Sequence, residues 1–300
     1  MNFFHSHLGE FAALLTAFFW TATALSFESA VRKIGSVSVN IIRLVLAFIL
    51  LSIFNLIQRG ELLPAGASNE NWLWLSLSGL IGFVFGDLFL FKSYAIIGSR
   101  FSMLIMTLVP PLTAFFGLFI LQERLTLFQY IGMTVTFSGI SIAIFSRKEK
   151  GERISLKLAP IGILYAFGGA AGQALGLVLS KLGLKDYDPF PATQIRIIAG
   201  TAGYVFLVTV MSRWKAVLNS TRNKEGMKST FIGAFFGPFL GVSFSLVAVK
   251  YTEAGIASTI MALVPVFIIV PLVVLYKQKV SLTELIGAVV SVGGVALFFI

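Results

Sequence analysis

Leu108-Val109-Pro110 returns as Leu263-Val264-Pro265, 155 residues further along the chain. The same offset carries Ile105-Met106 onto Ile260-Met261, Gly82 and Gly86 onto Gly237 and Gly241, and Gly132 and Gly139 onto Gly287 and Gly294. Nearer the start of each copy, Ile42-Arg43-Leu44 resembles Ile195-Arg196-Ile197. A unit of about 150 almost wholly apolar residues is therefore written twice, and internal duplication in such a chain points to a transporter.

The apolar character is quantitative. The chain is 57% hydrophobic and 12% charged, with a mean hydropathy of +0.92. Soluble domains carry roughly 25% charged residues, so most of this surface must face lipid. There are no cysteines, which removes disulfide and thiol chemistry. The net charge of +10 does not point to nucleic acid, because the basic residues sit between apolar runs, where they read as topology signals. Met1 to Leu8 contain no Lys or Arg, and no small-residue cleavage site follows, so the first apolar run is expected to be a retained helix.

A helix crosses about 30 Å of hydrocarbon with about 20 residues. Windows of that size fall near 8–31, 39–57, 72–97, 101–121 and 127–146, and again near 158–180, 192–211, 229–249, 255–276 and 282–300. The reading is an all-α integral membrane protein of ten transmembrane helices, five per copy: residues 1–146, a basic linker 147–157, and residues 158–300. Continuous apolar runs, without alternation, exclude barrel strands. Five crossings is an odd number, so the second copy enters from the opposite face and the repeats are inverted. Alternate loops sort the charges. Arg32, Lys33, Arg100, Arg147, Lys148, Lys150, Arg153, Lys157, Arg213, Lys215, Arg222, Lys224, Lys228, Lys277 and Lys279 share one face, against Arg59, Arg124, Lys181, Lys185 and Lys250 on the other. The first face is expected to be cytoplasmic and both termini external.

Tyr251-Thr252-Glu253-Ala254-Gly255-Ile256-Ala257-Ser258, running on to Leu263-Val264-Pro265, resembles the EamA-type transporters of the drug/metabolite transporter superfamily. So does Leu121-Gln122-Glu123-Arg124-Leu125 followed by Gly132 and Gly139. The resemblance covers both copies and is strongest over 79–145 and 234–300. It implies ten helices around a central cavity and movement of small organic solutes such as amino acids, outward. Two features depart from the family. Lys277-Gln278-Lys279 stands where a Glu would match Glu123. Family members also commonly have cytoplasmic termini, opposite to the charge count.

Within this frame the unusual residues are few. Pro110 and Pro265 fall inside predicted helices at matching positions, with Pro111 and Pro271 nearby; each is a hinge or cavity-lining break, or a tolerated kink. Gly168, Gly172 and Gly176, Gly82 and Gly86, and Gly237 and Gly241 recur at four-residue spacing, which favours close helix packing. A phosphate loop is excluded because no strand precedes these glycines and no P-loop Lys follows.

Arg43, Asp87, Lys92 and Arg196 are ionisable residues within predicted spans. Asp87 is the deepest. It reads as a proton carrier or substrate-amine partner, or as a structural pair with Lys92 or with an Arg of the second helix. Arg43 and Arg196, at equivalent places, attract a substrate carboxylate or snorkel to headgroups. Glu28 and Arg32 have the spacing of a local ion pair. Trp20 and Gln173 are mid-span equivalents, and with Tyr94 and Phe244 they fit the wall of a cavity for an organic ligand, or serve ordinary interhelical bonding. His5 and His7, the only histidines, form no metal cluster, and no cofactor is implied. Without Cys, with terminal His and with one deep Asp, catalysis is poorly supplied.

The expected function is a secondary transporter of the cell (inner) membrane. A small organic solute, neutral or zwitterionic because few charges lie in the core, would bind near the midplane between the repeats, with protons as a candidate coupling ion through Asp87. A channel-like or purely structural membrane protein is the alternative.

Overall fold

The computed structural model describes residues 3–146, 159–274, 277 and 280–299. Ten helical segments organise it: α1 (Leu8–Ile34), α2 (Ser36–Arg59), α3 (Asn69–Leu90), α4 (Val109–Leu121), α5 (Leu127–Phe145), α6 (Pro160–Leu184), α7 (Pro189–Val210), α8 (Lys224–Tyr251), α9 (Ala254–Pro271) and α10 (Leu282–Phe299). Among the described residues, nine of these are long and apolar enough to cross a membrane, and α4 is shorter. The protein is an all-α, multi-pass membrane protein of ten transmembrane helices in two inverted repeats. The basic stretch 147–157, with Gln278 and Lys279, lies outside the described residues.

Several helices begin earlier than hydropathy indicates, because their first turns are polar and capped. Ser68 opens α3 with a reciprocal capping box: Asn71 N donates to Ser68 Oγ at 3.1 Å, and Ser68 N donates to Asn71 Oδ1 at 2.8 Å. Asn223 opens α8, its Oδ1 accepting from Gly226 N at 2.9 Å. Consequently α8 starts at Lys224 rather than near 229, and a short helix, Trp214–Ser220, occupies the polar stretch before it.

Between α3 and α4 the expected loop is absent. The backbone stays helical over Asp87–Met106, yet Ser93 Oγ donates to Ser102 Oγ at 2.8 Å. In a straight helix these residues would be about 13 Å apart, so the chain reverses between them.

Packing obeys the duplication. α1 lies on α8 as α6 lies on α3, α2 packs on α7, α4 on α9 and α5 on α10. Exchanging the copies maps each pair onto another pair or onto itself, which is what a two-fold axis in the membrane plane requires. Buried hydroxyls close on their own helices: Thr16 Oγ1 to Ala12 O, Thr113 Oγ1 to Val109 O and Thr136 Oγ1 to Gly132 O, each at 2.8 Å. Such back-bonding satisfies a polar group where no water is present.

Two local features recur at the repeat offset. A seven-residue π-helical segment occupies Leu80–Gly86 in α3 and Phe235–Gly241 in α8. Each sits inside a longer helix and ends on the second glycine of its pair. π-Helical insertions widen one turn and are often found at functional sites. The prolines also recur, though not as helix-interior breaks. The helix has already paused at Thr107-Leu108 and at Ala262-Leu263, where Leu108 N donates to Ile105 O at 3.0 Å and Leu263 N to Ile260 O at 3.1 Å. Pro110 and Pro265 then stand in the first turn of the resumed helix. There a missing N–H costs nothing.

Candidate functional site

The π segment of α3 delivers Asp87 to the middle of the bundle, where it is 8% exposed. Arg43 of α2 pairs with Asp87 Oδ2, and Gln173 Nε2 of α6 donates to Asp87 Oδ1 at 3.1 Å and towards Gly82 O at 3.4 Å. The partner is thus an Arg of the second helix and not Lys92, which is exposed with its ammonium 5.2 Å above the Tyr165 ring. Five residues from Asp87, Lys92 points to a different side of the helix.

Neither arginine snorkels. α2 and α7 begin at Ser36 and Pro189, so Arg43 and Arg196 lie two turns inside. Arg43 spans from Asp87 to the Phe27 ring, 5.4 Å from its guanidinium carbon. Arg196 is 6% exposed and its guanidinium carbon lies 5.0 Å over the Phe83 ring. Its terminal Nη2 is 3.6 Å from where a Cβ on Gly82 would stand. Arg43, Asp87, Gln173, Gly82 and Arg196 therefore form one polar string from α2 through α3 and α6 to α7, joining the two repeats.

The glycines make this possible. A Cβ on Gly172 would lie 2.9 Å from Gly86 Cα, and one on Gly176 3.0 Å from Gly82 Cα. Gly168 sits against the Phe89 ring, 2.9 Å from its would-be Cβ. The other repeat shows the matching contact: Gly237 meets Thr23 at 2.8 Å, and Gly241 meets the Trp20 indole at 2.5 Å, by the same measure. Gly86 thus faces Gln173 as Gly241 faces Trp20. The two mid-span residues paired by the repeat occupy equivalent seats, one amide and one indole. Phe244 extends the aromatic side, its ring 5.5 Å from Phe19 and 6.2 Å from Phe190. Tyr94 lies on the helix Asp87–Met106, but its side chain is outside the described residues.

Tyr204 was not singled out by sequence. It is 1% exposed on α7, and among the described residues its hydroxyl has no hydrogen-bond partner. The available signal was its register: Arg196, Gly200 and Tyr204 follow at four-residue spacing on one face of α7.

A second polar cluster closes the end of the bundle where α1 begins. Lys181 of α6 lies 2.5 Å from Glu123 Oε1 and donates to Thr252 O at 2.6 Å. Thr252 Oγ1 donates to Glu10 Oε1 at 2.8 Å, and Ala254 N, opening α9, donates to Glu123 Oε2 at 2.8 Å. Glu123 reaches inward because α4 ends in a π turn, Gly117–Leu121, with Gln122 at φ 58°. The cluster therefore ties both repeats together. On the opposite face Glu28, the counterpart of Lys181, is exposed and pairs at 2.6 Å with Arg32 on its own helix, as its spacing indicated. Thr252 there corresponds to Ile97, and Glu10 to Ile163.

Comparison with known proteins agrees with this architecture. The EamA-like transporter family matches residues 7–145 and again 160–300. The chain is similar to the uncharacterized transporter YyaM of Bacillus subtilis (strain 168), 27% identical over 226 residues, covering 72% of this chain and 70% of that protein. It is also similar to an uncharacterized transporter of Clostridium kluyveri, 25% identical over 179 residues, covering 60% of this chain and 56% of that one. A protein of known crystal structure superposes with a TM-score of 0.74 over 97% of this chain and 95% of its own, at 18% identity, which speaks for the fold alone. Two family-matching halves, duplicated π segments and a ten-helix bundle lead to one conclusion: the chain belongs to the EamA-like transporter family and is a membrane transporter.

Proposed function

We propose that the protein is a secondary transporter that exports small organic metabolites such as amino acids across the cell (inner) membrane. Alternating access would occur at a central site between the repeats, near the Asp87 string. α1, α3, α4, α6, α8 and α9 supply the walls, including Trp20, Asp87, Tyr94, Gln173 and Phe244, while Pro110 and Pro265 mark the matching hinges. The domain division remains 1–146 and 158–300 about the linker.

One observation carries the alternating-access reading. Two halves of the same plan are bridged inside the bundle at one end by Glu123, Lys181, Thr252 and Glu10, while at the other end the equivalent positions are Glu28, bound within its own helix, and the apolar Ile97 and Ile163, and the ion pair that crosses between the repeats there, Lys33 with Glu225 at 3.0 Å, is exposed. An asymmetric closure of symmetric halves is what one state of a rocking carrier requires. Since the natural chain has no cysteine, the test is clean. Glu123→Cys with Lys181→Cys, bridged by a short bis-methanethiosulfonate that forms a disulfide to each thiol and releases methanesulfinate, is expected to stop saturable solute flux in proteoliposomes, and cleaving the bridge with a reductant is expected to restore it. Flux that ignores the bridge, or that rises without saturation, favours a channel or a static bundle.

Orientation follows from charge. At the α1 end Lys181, Lys185 and Arg59 pair with Glu123, Glu70 and Asp188, and on the other face Arg32 and Lys33 pair with Glu28 and Glu225; what separates the faces is the number of basic residues, which is larger on the second. A reporter fused after Ile300 is expected to show external enzymatic activity and no cytoplasmic fluorescence. The reverse pattern would overturn the charge-based orientation without altering the fold.

A further inference from the structure

Arg196 and Tyr204 are both deeply buried; the sequence offered Arg196 for a substrate carboxylate or for headgroups, and its burial decides against headgroups, while Tyr204 has no task yet. Asp87 neutralises Arg43. Among the described residues no carboxylate pairs with Arg196, and its Nε has no hydrogen-bond partner. The described charges at the centre, Arg43, Asp87 and Arg196, therefore sum to one net positive charge, carried by Arg196. A guanidinium held inside a membrane bundle without an anion is costly, and such residues mark substrate pathways.

Its setting fixes what it offers. Phe83 supports the guanidinium plane from one side at 5.0 Å. Gly82, without a side chain, faces the terminal Nη2. Gly200, one turn along α7, is met by the apolar side chains of Phe83 and Leu44, and one turn further, on the same face, the Tyr204 hydroxyl has no hydrogen-bond partner among the described residues. A planar five-donor fork with an aromatic backing suits a carboxylate, which accepts two parallel N–H bonds. A phosphate ester would bring about two negative charges to a centre that offers one.

We propose that Arg196 binds the single carboxylate of the transported solute and sets its specificity, with Tyr204 as a further polar contact on the same face of α7. This rests on the transporter reading and narrows it to organic monocarboxylates, amino acids included. It also adds α7 to the helices that contact substrate.

The experiment is competition against flux in proteoliposomes with matched probes: L-phenylalanine, 3-phenylpropionate, L-phenylalaninamide and phenethylamine, and the corresponding isoleucine series. For the wild type, the two carboxylates are expected to compete at least about tenfold better than the amide or the amine, the order given by a charge-assisted bidentate pair. Arg196→Gln is expected to remove that discrimination and Arg196→Lys to keep part of it, because Lys supplies charge without the fork. Tyr204→Phe is expected to weaken all probes without changing their order. Saturable flux of amines or amides with carboxylates inert overturns the Arg196 assignment alone. Discrimination that survives in Arg196→Gln does the same. The wild-type series decides the matter even if a variant fails to fold, and non-saturable flux of every probe overturns the transporter reading as well.

Discussion

Replacing Asp87 by Asn is expected to abolish measurable flux and to lower stability by about 3–5 kcal/mol, the cost of removing one partner from a buried ion pair. The Asn side chain keeps the volume and still accepts from Gln173 Nε2, which donates to Asp87 Oδ1 at 3.1 Å in the wild type. What it cannot do is neutralise Arg43, whose Nε has no hydrogen-bond partner among the described residues. The damage should therefore be electrostatic, and a second change should undo most of it. The double variant Arg43→Gln, Asp87→Asn removes both charges and is expected to recover stability to within about 1–2 kcal/mol of wild type, since replacing a whole buried pair by neutral groups is often close to neutral. Thermal unfolding of the purified variants in detergent reads the stability. Flux as a function of external pH reads the role. If the double variant transports without pH dependence, Asp87 is the coupling acid. If pH dependence is intact, or if Asp87→Asn alone transports like wild type at every pH, proton carriage by Asp87 is refuted.

Gly172→Val is expected to be as damaging, through geometry instead of charge. The new Cβ would stand 2.9 Å from Gly86 Cα and 3.2 Å from Gly86 N. Both are backbone atoms of the π segment, so no side-chain rotation relieves the clash and α3 must move away from α6. Overpacking of this kind costs about 1–3 kcal/mol or more. The shift would also stretch the Gln173 to Asp87 bond on the neighbouring residue. Flux should fall with the midpoint of unfolding, and Gly176→Val should behave alike, its Cβ lying 3.0 Å from Gly82 Cα. Gly293→Ala is the control. Among the described residues nothing lies within 4 Å of a Cβ there, so it is expected to stabilise α10 by up to about 1 kcal/mol through helix propensity.

Much of this arrangement was legible in the chain. Hydropathy windows gave the helix count, the odd number of crossings per copy gave the inversion, the duplication gave the equivalence of Trp20 with Gln173, and the glycine spacing marked the helix faces that meet. Other parts were hidden for identifiable reasons. Hydropathy windows lose a polar, capped first turn, which is why Arg43 and Arg196 looked like residues near the membrane surface when they are two turns deep. The π segments leave no local pattern, since their glycines fit ordinary helix packing equally well. Asp87 had two plausible partners in sequence, and only the rotation between positions 87 and 92 decides between them. Lys181 and Glu123 are far apart in the chain with no periodicity to relate them. Tyr204 stood out only once α7 was known to face the charged string.

At four glycines the contact between α5 and α10 brings main chain against main chain. A Cβ on Gly139 would collide with Ser291 N, and one on Gly287 would stand 2.5 Å from Ala143 N; Gly132 and Gly294 approach each other's carbonyls at 3.1 and 2.9 Å by the same measure. Where main chain rests on main chain, a bulkier residue on one strand of descent has no room until its opposite retreats. Substitutions at this seam must arrive in compensating couples. However far the twin halves of the gene wander elsewhere, here each keeps the other from changing by itself.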